Sequence, residues 1–208
     1  MIEVVSLTAA DGGDAVTVKL RIDGEEESYT LSAADHFLIG VRKGEVDGET
    51  YLSVTAAADR YAAVRAAIRS LAAGQCSARR LYCKLLAKHI RAEDAKYAVR
   101  FVRDRGYLDE RGQIVSHLRV MLGRKHMGRG KIVPMLLAKG YRSADITAVL
   151  EENFTESDFA AAKRAFLMEK FGKTAPADPA EAAEMKKALY KWEASTSGES
   201  QPFPTVVE

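Results

Sequence analysis

The sequence predicts a mostly α-helical protein in which tandem three-helix repeats form an elongated, curved stack, preceded by a small N-terminal β-rich module with one helix. Residues 85–94 (LLAKHIRAED) recur as residues 136–145 (LLAKGYRSAD), with six identities at an offset of 51 and no gap. The spacing of apolar residues also changes, near Asp59, from a period of two to a helical period. Self-similarity at one offset indicates units that bury a core only by stacking on one another.

The N-terminal module covers residues 1–58 and is predicted to be a short β-meander followed by a helix. Apolar and polar side chains alternate over residues 16–22, which is typical of a strand with one buried face. The Asp-Gly pair that follows favours a tight hairpin turn. Ser32 can cap a helix over residues 33–41. Because three strands make a small sheet, we expect it to take part of its core from the helices that follow.

Helical periodicity runs through the rest of the chain up to a Ser-, Gly- and Pro-bearing end. We predict three helices over residues 59–108 (repeat 1), three over 109–153 (repeat 2) and two over 154–193 (a truncated repeat 3). Residues 194–208 lack any pattern and are predicted to be a disordered tail.

The second helix of repeat 2 contains Pro134, so we expect it to begin late enough to place this proline in its first turn. Gly128 and Gly130, just before it, support a late start. A lone Gly-x-Gly is too short for a phosphate-binding loop, so we do not interpret it as one.

The net charge of +2 hides a segregation of charge along the chain. Residues 60–142 hold 20 of the 31 basic residues and 5 of the 29 acidic ones, a net of +15, whereas the remainder carries −13. A central block this basic is the electrostatic signature of a protein that binds a polyanion. The alternative is a solvated helical surface whose counter-charges lie on neighbouring segments.

Basic residues recur at helical spacing on several predicted helices. Stripes of this kind on stacked helices would form a continuous positive band suited to a phosphate backbone. The candidate contact residues for nucleic acid or a partner are Arg79, Arg80, Lys84, Lys88, Lys96, Arg100, Arg103, Arg119, Arg124, Lys125, Arg129 and Lys131. Tyr82, Tyr97 and Tyr107 are the aromatic residues that could stack on bases, although we expect Tyr107 to pack between repeats.

Catalytic, metal and membrane signatures are not found in the sequence. The four histidines lie on separate elements, and no nucleophile elbow, P-loop or dinucleotide fingerprint is present.

Cys76 and Cys83 are seven residues apart, which is not zinc-ligand spacing, so we expect two buried free thiols in a reducing compartment. No signal peptide or apolar run of about 20 residues occurs. We therefore expect a cytoplasmic, monomeric protein without catalytic residues, metal or cofactor.

Several short motifs, in their order and spacing, resemble the RecX family of bacterial regulatory proteins. The motifs are residues 77–81 (SARRL), 84–85 (KL), 105–109 (RGYLD), 128–132 (GRGKI), 136–140 (LLAKG) and 170–172 (KFG). The resemblance spans about residues 60–192, and the β module resembles the extra domain of some longer members.

The resemblance implies tandem three-helix repeats and a regulatory function. Members of the family bind the RecA recombinase and its filament on single-stranded DNA, usually inhibit it, contact single- or double-stranded DNA, and are not enzymes. The chain departs from the family at its end, where the third repeat has two helices instead of three. Two alternatives stay open: a sequence-independent DNA-binding helical-repeat protein without recombinase contact, and an enzyme whose site the sequence does not reveal.

Overall fold

The N-terminal part of the chain forms an antiparallel sheet with the strand order β3-β2-β1-β4 in the computed structural model, which describes residues 1–193. The strands are β1 (Ile2–Ala10), β2 (Ala15–Ile22), β3 (Glu25–Ser32) and β4 (Gly44–Glu45). The predicted meander is thus present, with a short fourth strand that the sequence analysis missed. The predicted disordered tail lies outside the described residues.

The alternation seen in β2 separates a buried face of the sheet from a solvated one. Val18 and Leu20 are fully buried, whereas Arg21 reaches Glu3 at 3.3 Å and Glu26 at 2.8 Å on the other face.

The helix after β3, α1 (Ala33–Ile39), begins where the Ser32 hydroxyl accepts the Asp35 N–H. It ends two residues earlier than predicted, because Gly40 adopts a left-handed conformation that terminates it.

Helix α2 (Gly48–Ala72) is longer than the sequence analysis predicted, since it begins eleven residues before Asp59. The Asp47 carboxylate caps it by accepting the Thr50 N–H at 2.7 Å, so the glycine at its first position does not prevent it from forming. Val54 and Ala57 of this helix belong to the core of the sheet. Helix α2 therefore supplies the core that three short strands lack, as expected.

The described residues form nine helices and divide into two compact units. The helices that follow α2 are α3 (Ala78–Leu86), α4 (Ala92–Asp104), α5 (Glu110–Gly123), α6 (Arg129–Ala138), α7 (Ser143–Asn153), α8 (Glu156–Phe171) and α9 (Pro179–Glu193). The first unit comprises Met1–Gly74 and Leu81–Tyr107, and the second comprises Gln75–Arg80 and the chain from Leu108 onward. Helix α4 packs on α2 in the first unit, and α7 packs on α5 in the second.

The duplicated windows adopt the same backbone structure. The Ile90 N–H bonds the Leu85 carbonyl at 3.3 Å, and 51 residues later the Tyr141 N–H bonds the Leu136 carbonyl at the same distance. His89 and Gly140, at the corresponding turn, both have positive φ, +61° and +88°. Burial repeats as well, at Leu81 and Ile132, Leu85 and Leu136, Ala95 and Ile146, and Ala98 and Val149. The sequence repeat is therefore also a structural repeat of three helices.

Helix α9 is anchored in the second unit by Trp192, the single tryptophan of the chain. Its ring is buried in the core of that unit, and its Nε1–H donates to the His126 carbonyl at 2.6 Å. A Cβ on Gly128 would lie 2.2 Å from the Trp192 carbonyl oxygen. Gly128 is therefore required by close packing.

Pro134 lies at the sixth position of α6, beyond the first turn that the sequence analysis predicts for it, because the helix already begins at Arg129.

We expect Gly128→Ala to destabilise the protein by at least about 2 kcal/mol, because the added methyl group overlaps backbone that is held by a buried tryptophan. The matched control is Gly123→Ala, where a Cβ meets nothing within 4 Å. This change in the last turn of α5 should be neutral or stabilise by up to ~1 kcal/mol. Urea unfolding followed by tryptophan fluorescence measures both effects. Equal stability of the two variants would contradict the packing role.

Candidate nucleic-acid interface

Part of the basic block is neutralised within the fold. Five of its arginines form ion pairs with acids that lie outside residues 60–142. These pairs are Arg60–Asp35 (3.7 Å), Arg65–Asp11, Arg91–Asp59 (3.2 Å), Arg111–Glu152 and Arg129–Glu156 (2.6 Å). Most of these side chains are substantially exposed, so each pair contributes little to stability. The alternative of counter-charges on neighbouring segments is therefore correct for these five arginines.

Five of the twelve candidate residues lie in the first unit. On α4, Lys96, Arg100 and Arg103 are exposed at i, i+4 and i+7, and the opposite face of the helix is buried. Lys96 and Arg100 form no ion pair with any residue that the structure describes. The α4 stripe, defined as Lys96, Arg100 and Arg103, is thus presented to solvent as the sequence predicts.

The sequence spacing of Arg80, Lys84 and Lys88, at i, i+4 and i+8, predicts one basic stripe along α3. The stripe that the structure shows is shorter. Lys84 lies on this helix, but the helix ends at Leu86, so Lys88 lies in the turn that follows. The Lys88 ammonium there donates to the Ser70 hydroxyl at 3.3 Å. The i, i+4, i+8 spacing from Arg80 therefore does not place all three cations on one helical face.

The other seven candidates lie in the second unit. Six are exposed at the first turn of α3, along and after α5, and in the first turn of α6: Arg79, Arg80, Arg119, Arg124, Lys125 and Lys131. Arg129 differs, because its guanidinium lies 4.2 Å from the centre of the Phe159 ring and pairs with Glu156. This arginine links α6 to α8 and contributes to packing.

A polar network around Ser77, the residue that the sequence predicts as the cap of this helix, holds the start of α3 in the second unit. The buried Ser77 hydroxyl donates to the Lys139 carbonyl at 2.7 Å and accepts the Arg80 N–H at 3.3 Å. The Glu110 carboxylate accepts the Ala78 N–H at 3.0 Å. These contacts fix the turn of helix that carries Arg79 and Arg80. The sequence predicts the Ser77 cap but not the contacts with Lys139 and Glu110. A Cβ at Gly140 would lie 2.7 Å from the Ser77 hydroxyl oxygen, so a glycine is also needed there.

Tyr141 and His117 lie beside this network, with ring centres 5.8 Å apart. The Tyr141 hydroxyl donates to the Gln113 side chain at 2.9 Å, and burial, reinforced by Glu110, raises the pKa of Tyr141 to about 12. Burial lowers the pKa of His117 below its ordinary value, and the Lys139 charge lowers it further. Both groups are therefore held neutral at physiological pH.

The aromatic and cysteine side chains differ from the expectations in two places. Tyr107 is 53% exposed and does not pack in a core; Leu108 is buried instead. Cys83 is exposed, because the buried face of α3 is formed by Leu81 and Leu85, and only Cys76 is buried. Tyr97 contacts Phe101 and Arg60 within its own unit. Tyr107 is thus the most accessible of the three candidate stacking residues that the sequence named.

Comparison with solved structures identifies the fold. The crystal structure of the regulatory protein RecX aligns with a TM-score of 0.72 at 17% identity and covers 94% of this chain and 96% of its own. The chain has the RecX fold. RecX from Lactobacillus salivarius aligns with a TM-score of 0.57 at 16% identity over 66% of this chain and 90% of its own. No protein-family model matches the sequence, and no curated protein matches it.

Residues 1–193 contain no group of three or more His, Cys, Asp or Glu side chains placed to hold a metal ion. None of their helices is long and apolar enough to cross a membrane.

We expect His117 to make stability fall at acidic pH. Below about pH 6.5, the unfolded chain binds a proton on this imidazole that the folded chain, with its lowered pKa, does not. The contribution is therefore complete above pH 6.5 and is lost as the pH falls through it. In His117→Gln, the difference in unfolding free energy between pH 7.5 and pH 5.5 should be smaller than in the wild type. An equal difference in both proteins, measured by urea unfolding, would refute this assignment.

Proposed function

We propose that this protein is a non-enzymatic regulator that binds the RecA recombinase and its filament on single-stranded DNA and inhibits recombinase activity in DNA repair and recombination. The fold shared with RecX regulatory proteins over almost the whole chain is the observation that carries the proposal. We further propose that it acts as a monomer in the cytoplasm and needs no cofactor.

The surface chemistry supports the part of the proposal that concerns DNA. The α4 stripe projects three cations at helical spacing from a helix whose opposite face is buried. A row of this kind suits phosphates, because charge neutralisation along the backbone needs no base recognition. Exposed Tyr107, three residues beyond α4, adds a ring on which an unpaired base can stack. We propose that Arg79, Arg80, Arg119, Arg124, Lys125 and Lys131 of the second unit also contact DNA or the recombinase.

A second candidate function is binding to DNA alone, without contact with a recombinase. The α4 stripe favours it, since phosphate contacts by themselves account for the exposure of Lys96 and Arg100, which form no ion pair with a described residue. The two functions differ in what remains after these cations are removed. A regulator that also contacts recombinase keeps part of its effect, whereas a protein that acts only by coating DNA loses all of it.

We expect Lys96→Glu/Arg100→Glu to weaken binding to single-stranded DNA by at least about tenfold. The slope of log K against log salt concentration should become shallower by about 1–2, because two phosphate contacts are lost. The matched control is Lys187→Glu/Lys191→Glu, which makes the same change of charge at the same i, i+4 spacing on exposed positions of α9. Fluorescence anisotropy at several salt concentrations measures both. Equal losses in the two variants would show that only net charge matters and that α4 is not the contact surface.

We expect the wild-type protein to lower the rate of RecA-catalysed ATP hydrolysis on single-stranded DNA. The Lys96→Glu/Arg100→Glu variant should retain part of this inhibition through its protein contacts. Complete loss in that variant, together with loss of DNA binding, would favour the DNA-coating alternative. No effect of the wild type at several-fold excess over filament ends would reject regulation of RecA.

A further inference from the structure

The short helix α1 carries two large apolar side chains on the surface of the first unit. Phe37 is 84% exposed and Leu38 is 79% exposed, and Phe37 is the most exposed large apolar side chain among the described residues. Exposed apolar residues that stand singly are common on protein surfaces, whereas two adjacent ones on the same short helix are typical of a contact surface. The α1 apolar pair is defined as Phe37 and Leu38.

The fold holds this pair on the outer side of a fixed helix. The Ser32 hydroxyl accepts the Asp35 N–H at 3.0 Å, and the Asp35 carboxylate pairs with Arg60 of α2 at 3.7 Å. At the other end of the helix, Ile39 packs against the core of the sheet, and Val41 belongs to that core. Because the helix is anchored at both ends, a partner meets side chains that are already ordered, which reduces the entropy cost of binding.

The charge of the N-terminal module argues against a polyanion as the partner of this pair. Residues 1–58 contain 11 acidic and 4 basic residues, a net of −7. Two of the four basic residues, Lys19 and Arg21, pair with Glu26 on the solvated face of the sheet. Nucleic acid and anionic membranes carry the same sign of charge as the module and are therefore repelled by it. A protein surface is the partner that this charge favours.

The charges that lie nearest the pair in the chain almost balance one another. Arg42 and Lys43 are exposed just after α1, and Glu45 is exposed on β4. Asp35, on α1 itself, is already paired within the first unit. The contact made by the pair is therefore apolar, and the net charge of the module acts at longer range by favouring a basic protein surface.

A recombinase that assembles on single-stranded DNA carries basic surfaces, because Lys and Arg side chains bind the phosphates. Such surfaces complement the acidic N-terminal module. The α4 stripe of the same unit has the opposite sign and complements the DNA. The first unit thus presents one surface suited to the protein of a filament and another suited to its nucleic acid.

We propose that the α1 apolar pair is the surface that contacts the recombinase, and that it inserts into an apolar pocket on a basic face of that protein. This inference deepens the proposed function and rests on it. It divides the contacts of the first unit, since the α1 apolar pair binds protein and the α4 stripe binds phosphates. The contact through α1 is what preserves partial inhibition in the Lys96→Glu/Arg100→Glu variant.

Binding to RecA in the absence of DNA tests the proposal in the full-length protein. Phe37→Ser/Leu38→Ser should weaken this binding by at least about tenfold, because the pair supplies the buried apolar contact. Its affinity for single-stranded DNA should stay within about twofold of the wild type, because the phosphate contacts of α4 are intact. Both side chains are exposed, so the variant should fold, and urea unfolding checks that its stability is unchanged.

The matched control is Met168→Ser/Tyr190→Ser, which removes two exposed large apolar side chains from the second unit. This variant should bind RecA as the wild type does. Equal losses in the two double variants, or wild-type binding by Phe37→Ser/Leu38→Ser, would overturn this inference and leave the proposed function in place. A wild type that binds neither RecA nor its filament would overturn the proposed function, and this inference with it.

Photo-crosslinking identifies what covers the pair. Phe37→p-benzoylphenylalanine should crosslink, on irradiation, to one site on RecA that contains apolar residues. Crosslinks to a second copy of this protein, or crosslinks scattered over RecA, would overturn the proposal. Binding of the wild type to phosphatidylserine vesicles, if it is lost in Phe37→Ser/Leu38→Ser, would overturn it in favour of a membrane surface.

Discussion

A left-handed residue after the second helix of repeats 1 and 2 is the constraint on which the helical part of the structure depends. At His89 and Gly140 the backbone takes a positive φ, and the next N–H then bonds a carbonyl of the last helical turn. This closes the helix and reverses the chain, so that the third helix can return to pack on the first. Glycine adopts this conformation without strain, whereas histidine does so at some cost. At Gly140 a side chain is also excluded by the Ser77 hydroxyl.

The distribution of charge follows from where the fold places each basic residue. Arginines that face the acidic segments outside the block are paired, such as Arg60 with Asp35 and Arg129 with Glu156. Lys96 and Arg100, on the outer face of α4, form no ion pair with a described residue and stay exposed. A protein of small net charge can therefore still expose individual cations, because its acids pair with particular arginines and not with all of them. The polyanion binding that we propose is for this reason compatible with a pI of about 8.5.

Gly128, the first glycine of the Gly-x-Gly at the start of α6, is a packing residue. Gly128 admits the backbone of Trp192, and the tryptophan in turn fixes α9 on the second unit. Close packing at one glycine thus holds the last described helix against the core of the second unit.

The sequence by itself determined the helical class, the N-terminal sheet, the duplication and the exposed stripe on α4. Each of these depends on local periodicity or on a repeated window, which the chain carries without reference to its tertiary structure. The tertiary structure alone decided which arginines are paired, the early start of α2, the exposure of Cys83 and Tyr107, and the contacts that Ser77 and Glu110 make between α3 and later parts of the chain. Those features depend on contacts between residues that are tens of positions apart in the chain. Ser77 and Lys139, for example, meet across 62 residues, and no local pattern records a contact that packing alone creates.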